Sequence, residues 1–176
     1  TNLNLVVGDN KIVFRPYEDG DYYEFVDGYG YGELATSWVF VHVKSLDIYV
    51  NSSYMGDESD GSIAKPYKSI KTAVTNAEAG QTIHILNGQY TGEGTITINK
   101  NIDIVGESPS GVIVNNAIFK YTVDYTGILT NLTINGATSA TTAAIDIAKK
   151  AIALNVSNVN INNWVVESSD SVILSK

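Results

Sequence analysis

Cysteine is absent from these 176 residues, which excludes a disulfide framework, a thiolate metal site and a cysteine nucleophile. Positive charge is scarce: 11 Lys plus Arg stand against 19 Asp plus Glu, for a net charge of −8. With no basic cluster and Arg15 as the sole arginine, the chain has no footprint for a phosphate backbone, so no nucleic acid partner is expected. No apolar run approaches the ~18 residues needed to cross a bilayer, so no membrane insertion by this segment is expected. Thr1 is neither Met nor the start of a signal peptide, which reads as an excised or processed piece. What is present is a hydrophobic content of 44%, enough for a real core in one domain or one and a fraction.

A short pattern occurs three times. Asn101-Ile-Asp-Ile-Val-Gly106, Asn131-Leu-Thr-Ile-Asn-Gly136 and Asn158-Val-Asn-Ile-Asn-Asn163 each open on Asn, carry two aliphatics spaced by two, and close on Gly or Asn. The copies are offset by 30 and 27 residues, and a repeat of that period points to a solenoid or other array. Alternation of Ile102 and Ile104 around Asp103, Leu132 and Ile134 around Thr133, and Val159 and Ile161 around Asn160 is strand period, with the aliphatics expected inside. Gly106, Gly136 and Asn163 tolerate positive φ, so each strand is expected to end in the same left-handed corner. Stacking the copies would align Asn101, Asn131 and Asn158 in an amide ladder, although Asn is also a common turn residue.

Three regions separate along the chain. Residues 1–46 hold more than half of the aromatics and the strand-like runs Leu3–Val7, Lys11–Arg15 and Trp38–Lys44, with Gly8-Asp9-Asn10 reading as a hairpin turn. Residues 47–92 open with a strand at Asp47–Val50 and a polar turn segment. Then Ile70, Ala73, Val74 and Ala77 recur at helical spacing between Pro66 and Gly80, which predicts an amphipathic helix over about 67–79 with a glycine C-cap. From Gln81 onward the chain reads as strands separated by Gly, Asn and Ser turns: Thr82–Leu86, Thr95–Asn99, Ile102–Val105, Val112–Val114, Leu129–Asn135, Ala144–Ala148, Ile152–Asn162 and Val172–Leu174.

The order of these elements resembles a known family. Asp47-Ile-Tyr-Val-Asn51, the Asp/Gly/Ser turn at 56–62, Lys65–Val74, Gly80–Gly92 and Ile102–Glu107 are similar to the opening of a right-handed parallel β-helix of the pectin-lyase-like superfamily. The resemblance implies an all-β fold over 47–176 with an N-terminal capping helix, preceded by a β-rich cap or partial immunoglobulin-like segment at 1–46. Trp38–Val43 running into Asp47–Val50 further resembles adhesin-like surface proteins, notably those of methanogenic archaea. Functions on this fold range from pectate lyases, polygalacturonases and pectin methylesterases to non-catalytic adhesins, so fold alone decides little. Gly88-Gln-Tyr-Thr-Gly92 resembles the Gly-x-Tyr-x-Glu opening of pectin methylesterases, with Gly92 in place of the Glu.

Chemistry-bearing residues are few. The stripe Asp103, Thr133 and Asn160 holds one carboxylate, whereas glycosidic cleavage needs a pair, so no catalytic residue is assigned and the stripe is a candidate ligand-binding row instead. His84, between Ile83 and Ile85, is expected outside the coil as a solvated surface residue, and His42 likewise. Asp57 and Asp60, beside Glu58, are weak candidates for Ca²⁺, but the loop lacks EF-hand spacing and an Asp-Gly turn explains it as well. No Gly-x-Ser-x-Gly occurs. Tyr22, Tyr29 and Tyr31 are candidates for stacking on sugar rings, against the plainer reading that they bury in their own sheet. Lys149-Lys150 reads by default as a charged turn. Asn51 and Asn155 are the candidate glycosylation sites, while the Asn131 amide would be held in the ladder.

These readings predict a non-enzymatic, extracellular, cell-surface module binding a carbohydrate or a cell-surface protein through β-helix faces. The alternatives are a fragment of a polysaccharide lyase or hydrolase whose catalytic coils lie elsewhere, and a structural stalk.

Overall fold

A computed structural model of the chain describes residues 45–136, 143–147 and 152–164, together with the backbone of 8–16, 23–27 and 37–43. The chain divides into two compact units, Thr1–Ser45 and Leu46–Lys176. In the first, β1 (Gly8–Pro16), β2 (Tyr23–Asp27) and β3 (Ser37–Val43) form an antiparallel sheet in the order β2-β1-β3. Gly8, Asp9 and Asn10 pair with Val43, His42 and Val41 inside that sheet, so the hairpin turn expected there is instead the beginning of a strand. The expected strands Leu3–Val7 and Val172–Leu174, the candidates Tyr22, Tyr29 and Tyr31, and Lys149-Lys150 lie outside the described residues.

The second unit is a parallel β-helix. Its strands are β4 (Asp47–Val50), β5 (Thr82–Ile85), β6 (Gly88–Tyr90), β7 (Thr95–Ile98), β8 (Asp103–Gly106), β9 (Val112–Asn115), β10 (Ile118–Tyr121), β11 (Tyr125–Asn135), β12 (Ile145–Ile147) and β13 (Ile152–Asn162). Each turn of the coil visits three faces, so β5, β6 and β7 are overlaid by β8, β9 and β10, all in parallel register. In the next turn the long strand β11 serves two faces, its first half on β8 and its second half on β9, while β12 covers β10. β13 then pairs with β11 along nearly its whole length.

Alternation decides which side chains enter. Ile83, Ile85, Ile96, Ile98, Ile104, Val112, Val114, Phe119, Leu129, Leu132 and Ile134 are fully buried inside the coil. Each such side chain contributes roughly 1.5–3 kcal/mol relative to exposure, which is why a strand of three or four residues suffices per face. β6 and β10 were not apparent as strands in the sequence. Gly88-Gln-Tyr90 is too short to show a period of two, and in Ile118-Phe-Lys-Tyr121 the outward Ile118 hides the alternation; β6 pairs with β9, and β10 with β7 and β12.

The repeat is real but its register differs from the expected one. Asn131 and Asn158 do stack, with the Asn158 Nδ2 donating to Asn131 Oδ1 at 3.1 Å. Asn101 does not join them, because Ile104 lies opposite Leu129 rather than Ile134. The 101–106 copy therefore belongs to the face before the corner, and the 131–136 copy to the face after it. Ile134 stacks instead between Val114 and Ile161.

The left-handed corners also sit elsewhere. Asn131 and Asn158 themselves take φ of 59° and 51°, bending β11 and β13 from one face to the next. Asn163, at φ 54°, is left-handed as expected, and Asn116 adds another such corner at φ 55°. Gly106 and Gly136 are glycine for a different reason: a Cβ on Gly106 would collide with the Asn131 carbonyl, and one on Gly136 with the Asn163 carbonyl. Each glycine lies where the left-handed Asn of the following coil drops its backbone onto the coil before.

One helix closes the first coil. α1 (Ile70–Asn76) buries Ile70, Ala73 and Val74, and Ala77 just beyond it is also buried. It packs on β4, β5 and β7. It is shorter than expected and has no glycine C-cap: Ser69 is the N-cap, Ala77 the C-cap in extended conformation, and Gly80, at φ 90°, turns the chain toward β5. Both ends are held by charges from the strand the helix covers. Glu93 accepts from the Ile70 and Lys71 amides at 2.9 Å each and from Ser69 Oγ at 2.8 Å. At the other end, Lys100 Nζ donates to the carbonyls of Thr75 and Ala77 at 3.1 and 2.6 Å. A carboxylate at the N-terminus and an ammonium at the C-terminus both complement the helix dipole.

Candidate functional site

The outer face of β4, β5, β8 and the start of β11 carries the densest group of polar side chains with chemistry to offer. Register sets Asp47, Thr82 and Asp103 in one outward row and Tyr49, His84 and Val105 in the next. His84 stacks on Tyr49, ring centroids 5.1 Å apart and planes 22° from parallel, and its Nε2 lies 2.7 Å from Asp47 Oδ1. His84 is outside the coil as expected, but it is a partnered residue with its side chain 34% exposed, not a lone solvated one.

Asp103 is committed too: its Oδ1 accepts the Ile128 amide at 2.9 Å. Asp47 and Asp103 are separated by the strand of Thr82, two strand spacings or ~9–10 Å between backbones. Each of the two carboxylates already serves a bond of its own, Asp47 to His84 and Asp103 to the Ile128 amide.

The expected stripe of Asp103, Thr133 and Asn160 is not a single row. Asp103 precedes the corner, whereas Thr133 and Asn160 follow it, opposite each other on β11 and β13. Thr133 is only 4% exposed, because the loop at Pro109 folds over it and takes its hydroxyl at 2.6 Å. Asn160 is exposed and donates to Thr133 Oγ1 at 3.3 Å. The outward row that does run in register is Asn115, Asn135 and Asn162, each later amide donating to the one before at 3.0 and 3.3 Å, and Asn115 reaches diagonally to Gln89, which lies opposite Ile113, at 3.0 Å. The sequence alone does not reveal this row because Asn115, Asn135 and Asn162 fall at strand ends, and the letters of the repeat pair 131–136 with 101–106 rather than with β9. Its signal is the recurrence of Asn immediately after an inward aliphatic, at Val114, Ile134 and Ile161.

The remaining candidates are scattered. Asp60 accepts from the Ser62 amide at 2.9 Å, and its bonds to Ser62, with the Lys65 ammonium nearby, hold its carboxyl below the usual range. Glu58 pairs with Lys65 Nζ at 3.0 Å, and Asp57 is exposed. Among the described residues, no group of three or more His, Asp or Glu is placed to hold a metal ion. On the third face, Lys120 Nζ lies 3.2 Å from Asp146 Oδ2, an ion pair that joins β10 to β12 and was not singled out in the sequence. Asn51 Oδ1 accepts the Ser53 amide at 2.9 Å in a local turn, and Asn155 is exposed on β13.

Part of this chain is similar to a pectate lyase. It is 40% identical over 68 residues to pectate lyase PEL9 of Emericella nidulans, a match covering 36% of this chain and 16% of that enzyme. The chain thus spans a small part of the length of the lyase it matches. The likeness and the parallel coil together support a pectin-lyase-like β-helix. No family model and no solved structure matches the chain. Among the described residues, no helix is long and apolar enough to cross a membrane.

Proposed function

We propose that this chain is a non-enzymatic, adhesin-like, extracellular cell-surface module that binds a carbohydrate or a cell-surface protein through the outer faces of its β-helix. The observation that carries the reading is the row Asn115, Asn135 and Asn162, extended diagonally to Gln89, which repeats amide groups at strand spacing along an outer face. Such a row suits many weak, equivalent hydrogen bonds to a repetitive ligand rather than one shaped catalytic cleft. A net charge of −8 disfavours a polyuronate and favours a neutral glycan or a protein surface. Asn51 and Asn155 are the proposed glycosylation sites, and Tyr22, Tyr29 and Tyr31 the proposed aromatic contacts of the first unit.

A polysaccharide lyase or hydrolase is the second reading, favoured by the likeness to pectate lyase PEL9. One experiment separates the two. The purified chain is incubated with polygalacturonate and pectin, with and without Ca²⁺, while immobilised neutral and acidic glycans are tested for retention. Retention on a neutral glycan without release of unsaturated or reducing ends supports the binding module. Turnover lost on changing Asp103, Asp47 or Lys120 would put the enzyme reading in its place.

A further inference from the structure

One face of the β-helix carries no charge. In a chain with 11 Lys plus Arg and 19 Asp plus Glu, none falls in β6, in β9, or in the parts of β11 and β13 that follow Asn131 and Asn158. The other two faces differ: Asp47, His84 and Asp103 stand on the first, and Lys120 and Asp146 on the third. On the uncharged face Asn115, Asn135 and Asn162 lie in register, with Gln89 diagonal to Asn115. A side-chain amide has two N–H donors and an oxygen with two lone pairs. The ladder uses one of each on Asn115 and Asn135, which leaves both residues a second donor and a second lone pair for a ligand. Both are partly exposed, and Gln89 and Asn162 are exposed. The neighbouring row is closed at its middle, where the loop at Pro109 covers Thr133 and accepts its hydroxyl. The accessible amides therefore run in single file, with room for one chain.

Spacing selects the ligand. Side chains in register on adjacent strands recur every ~4.7–4.9 Å. An extended peptide laid along them repeats every ~3.3 Å, with same-side groups every ~6.6 Å, and falls out of step. A flat β-1,4-linked pyranose chain advances by nearly one strand spacing per sugar and presents hydroxyls, each both donor and acceptor, at every unit. An α-1,4-linked chain coils away from a straight row. A uronate finds no cation on this face to offset its desolvation. We propose that the face binds a single neutral β-1,4-linked hexopyranose chain laid across the strands, one sugar to each amide in register. This rests on the binding-module reading and names its ligand class. Asn115, Asn135 and Asn162 hold three consecutive sugars, and Gln89 reaches the edge of a fourth.

The test titrates the full chain with cellobiose, cellotriose, cellotetraose and cellohexaose, and with maltotetraose as the α-1,4 control. Calorimetry gives affinity, and the side-chain amide signals of Asn and Gln in NMR spectra locate the site. Affinity is expected to rise about three- to tenfold from cellobiose to cellotriose, the gain of one further net hydrogen bond or two, and to level off at cellotetraose. Maltotetraose should bind at least about tenfold more weakly than cellotetraose, having lost most of the contacts in register. Gln89→Ala should weaken cellotetraose about threefold and leave cellotriose unchanged, whereas Asn115→Asp, which replaces a donor with a charged acceptor, should weaken both at least about tenfold. If Asn115→Asp unfolds, the Gln89 variant and the length series still decide. Equal binding of maltotetraose, an affinity indifferent to chain length, or unmoved Asn115 and Asn135 amide signals at sugar concentrations on the order of 10 mM would each overturn the inference. Retention of another glycan or of a cell-surface protein in that event leaves the binding module standing without this ligand class. Turnover of polygalacturonate with no retention of any glycan removes both.

Discussion

Glu93→Ala should be the most damaging single truncation of a charged side chain in the β-helix. Glu93 is 4% exposed and holds three donors of another segment: the Ile70 and Lys71 amides and the Ser69 hydroxyl. A hydrogen bond to a charged group is worth about 1.5–3 kcal/mol, and a buried amide left unpaired costs about 1–3 kcal/mol. Ser69 Oγ still caps the Thr72 amide, and water reaches Lys71, so the three losses do not add in full. A net cost of about 2–4 kcal/mol follows, or roughly 6–12 °C in melting temperature at about 3 °C per kcal/mol for a domain of this size. Glu93→Gln keeps acceptor oxygen but loses the charge that complements the helix end, and should cost about half as much. Lys100→Met, at the other end of the same helix, should cost about 1 kcal/mol. Thermal and urea unfolding of the three variants measure all of this. Glu93→Ala within 0.5 kcal/mol of the parent, or no more harmful than Lys100→Met, would refute the account of how α1 is held.

Three further outcomes follow from the same geometry. Ile70→Asp puts a carboxylate where a fully buried side chain meets the first coil, and should destabilise by about 2–4 kcal/mol; an unchanged urea midpoint would show that α1 covers nothing. Gly106→Ala drives a methyl group into the Asn131 carbonyl and should cost about 1–3 kcal/mol, whereas Gly80→Ala meets nothing and bears only the strain of its φ, so the order of their unfolding midpoints tests the corner. Burial pushes the Tyr90 phenol up to about 12, with its hydroxyl donating to the Leu86 carbonyl at 2.6 Å. Because the folded value is raised, this contribution is whole below about pH 10 and is lost as pH climbs toward 12, roughly 2–3 kcal/mol in all; Tyr90→Phe should flatten that alkaline decline in urea unfolding, and an identical slope would contradict it.

The sequence made the coil legible because alternation survives in strands as short as four residues when both neighbours are polar, as in Thr95-Ile-Thr-Ile98. It made the helix face legible for the same kind of reason, with Ile70, Ala73, Val74 and Ala77 on one side. What misled was similarity between copies that do not lie above one another. Asn101–Gly106 matches Asn131–Gly136 in letters, yet loop 107–111 separates two faces in one coil where a single left-handed Asn131 does so in the next. A period read from letters assumes equal coils, and these are unequal. Glu93 was hidden by one position. The resemblance asked for a carboxylate at 92, and the left-handed Gly92 and Gly94 instead turn the side chain between them back toward the helix. The site was less legible than the fold. His84 finds Asp47 only because β4 and β5 are neighbours, and nothing local to either residue announces that pairing.

The clasp on α1 also sets an order of events while the chain is being made. Seven residues are far fewer than the ~12–15 an isolated helix needs to persist in water. The carboxylate that holds its first turn comes 24 residues after Ser69, and the ammonium that holds its last turn emerges later still. Residues 70–76 therefore leave the ribosome without the means to stay helical, and must wait until the strand between Glu93 and Lys100 has been synthesised and has closed the ring beneath them. Until then Ile70, Ala73 and Val74 are exposed beside an unfinished coil. Folding of this end therefore begins from the completed ring and only afterwards reaches back to its cover, so a pause in synthesis before Lys100 would leave the apolar side of 70–76 uncovered.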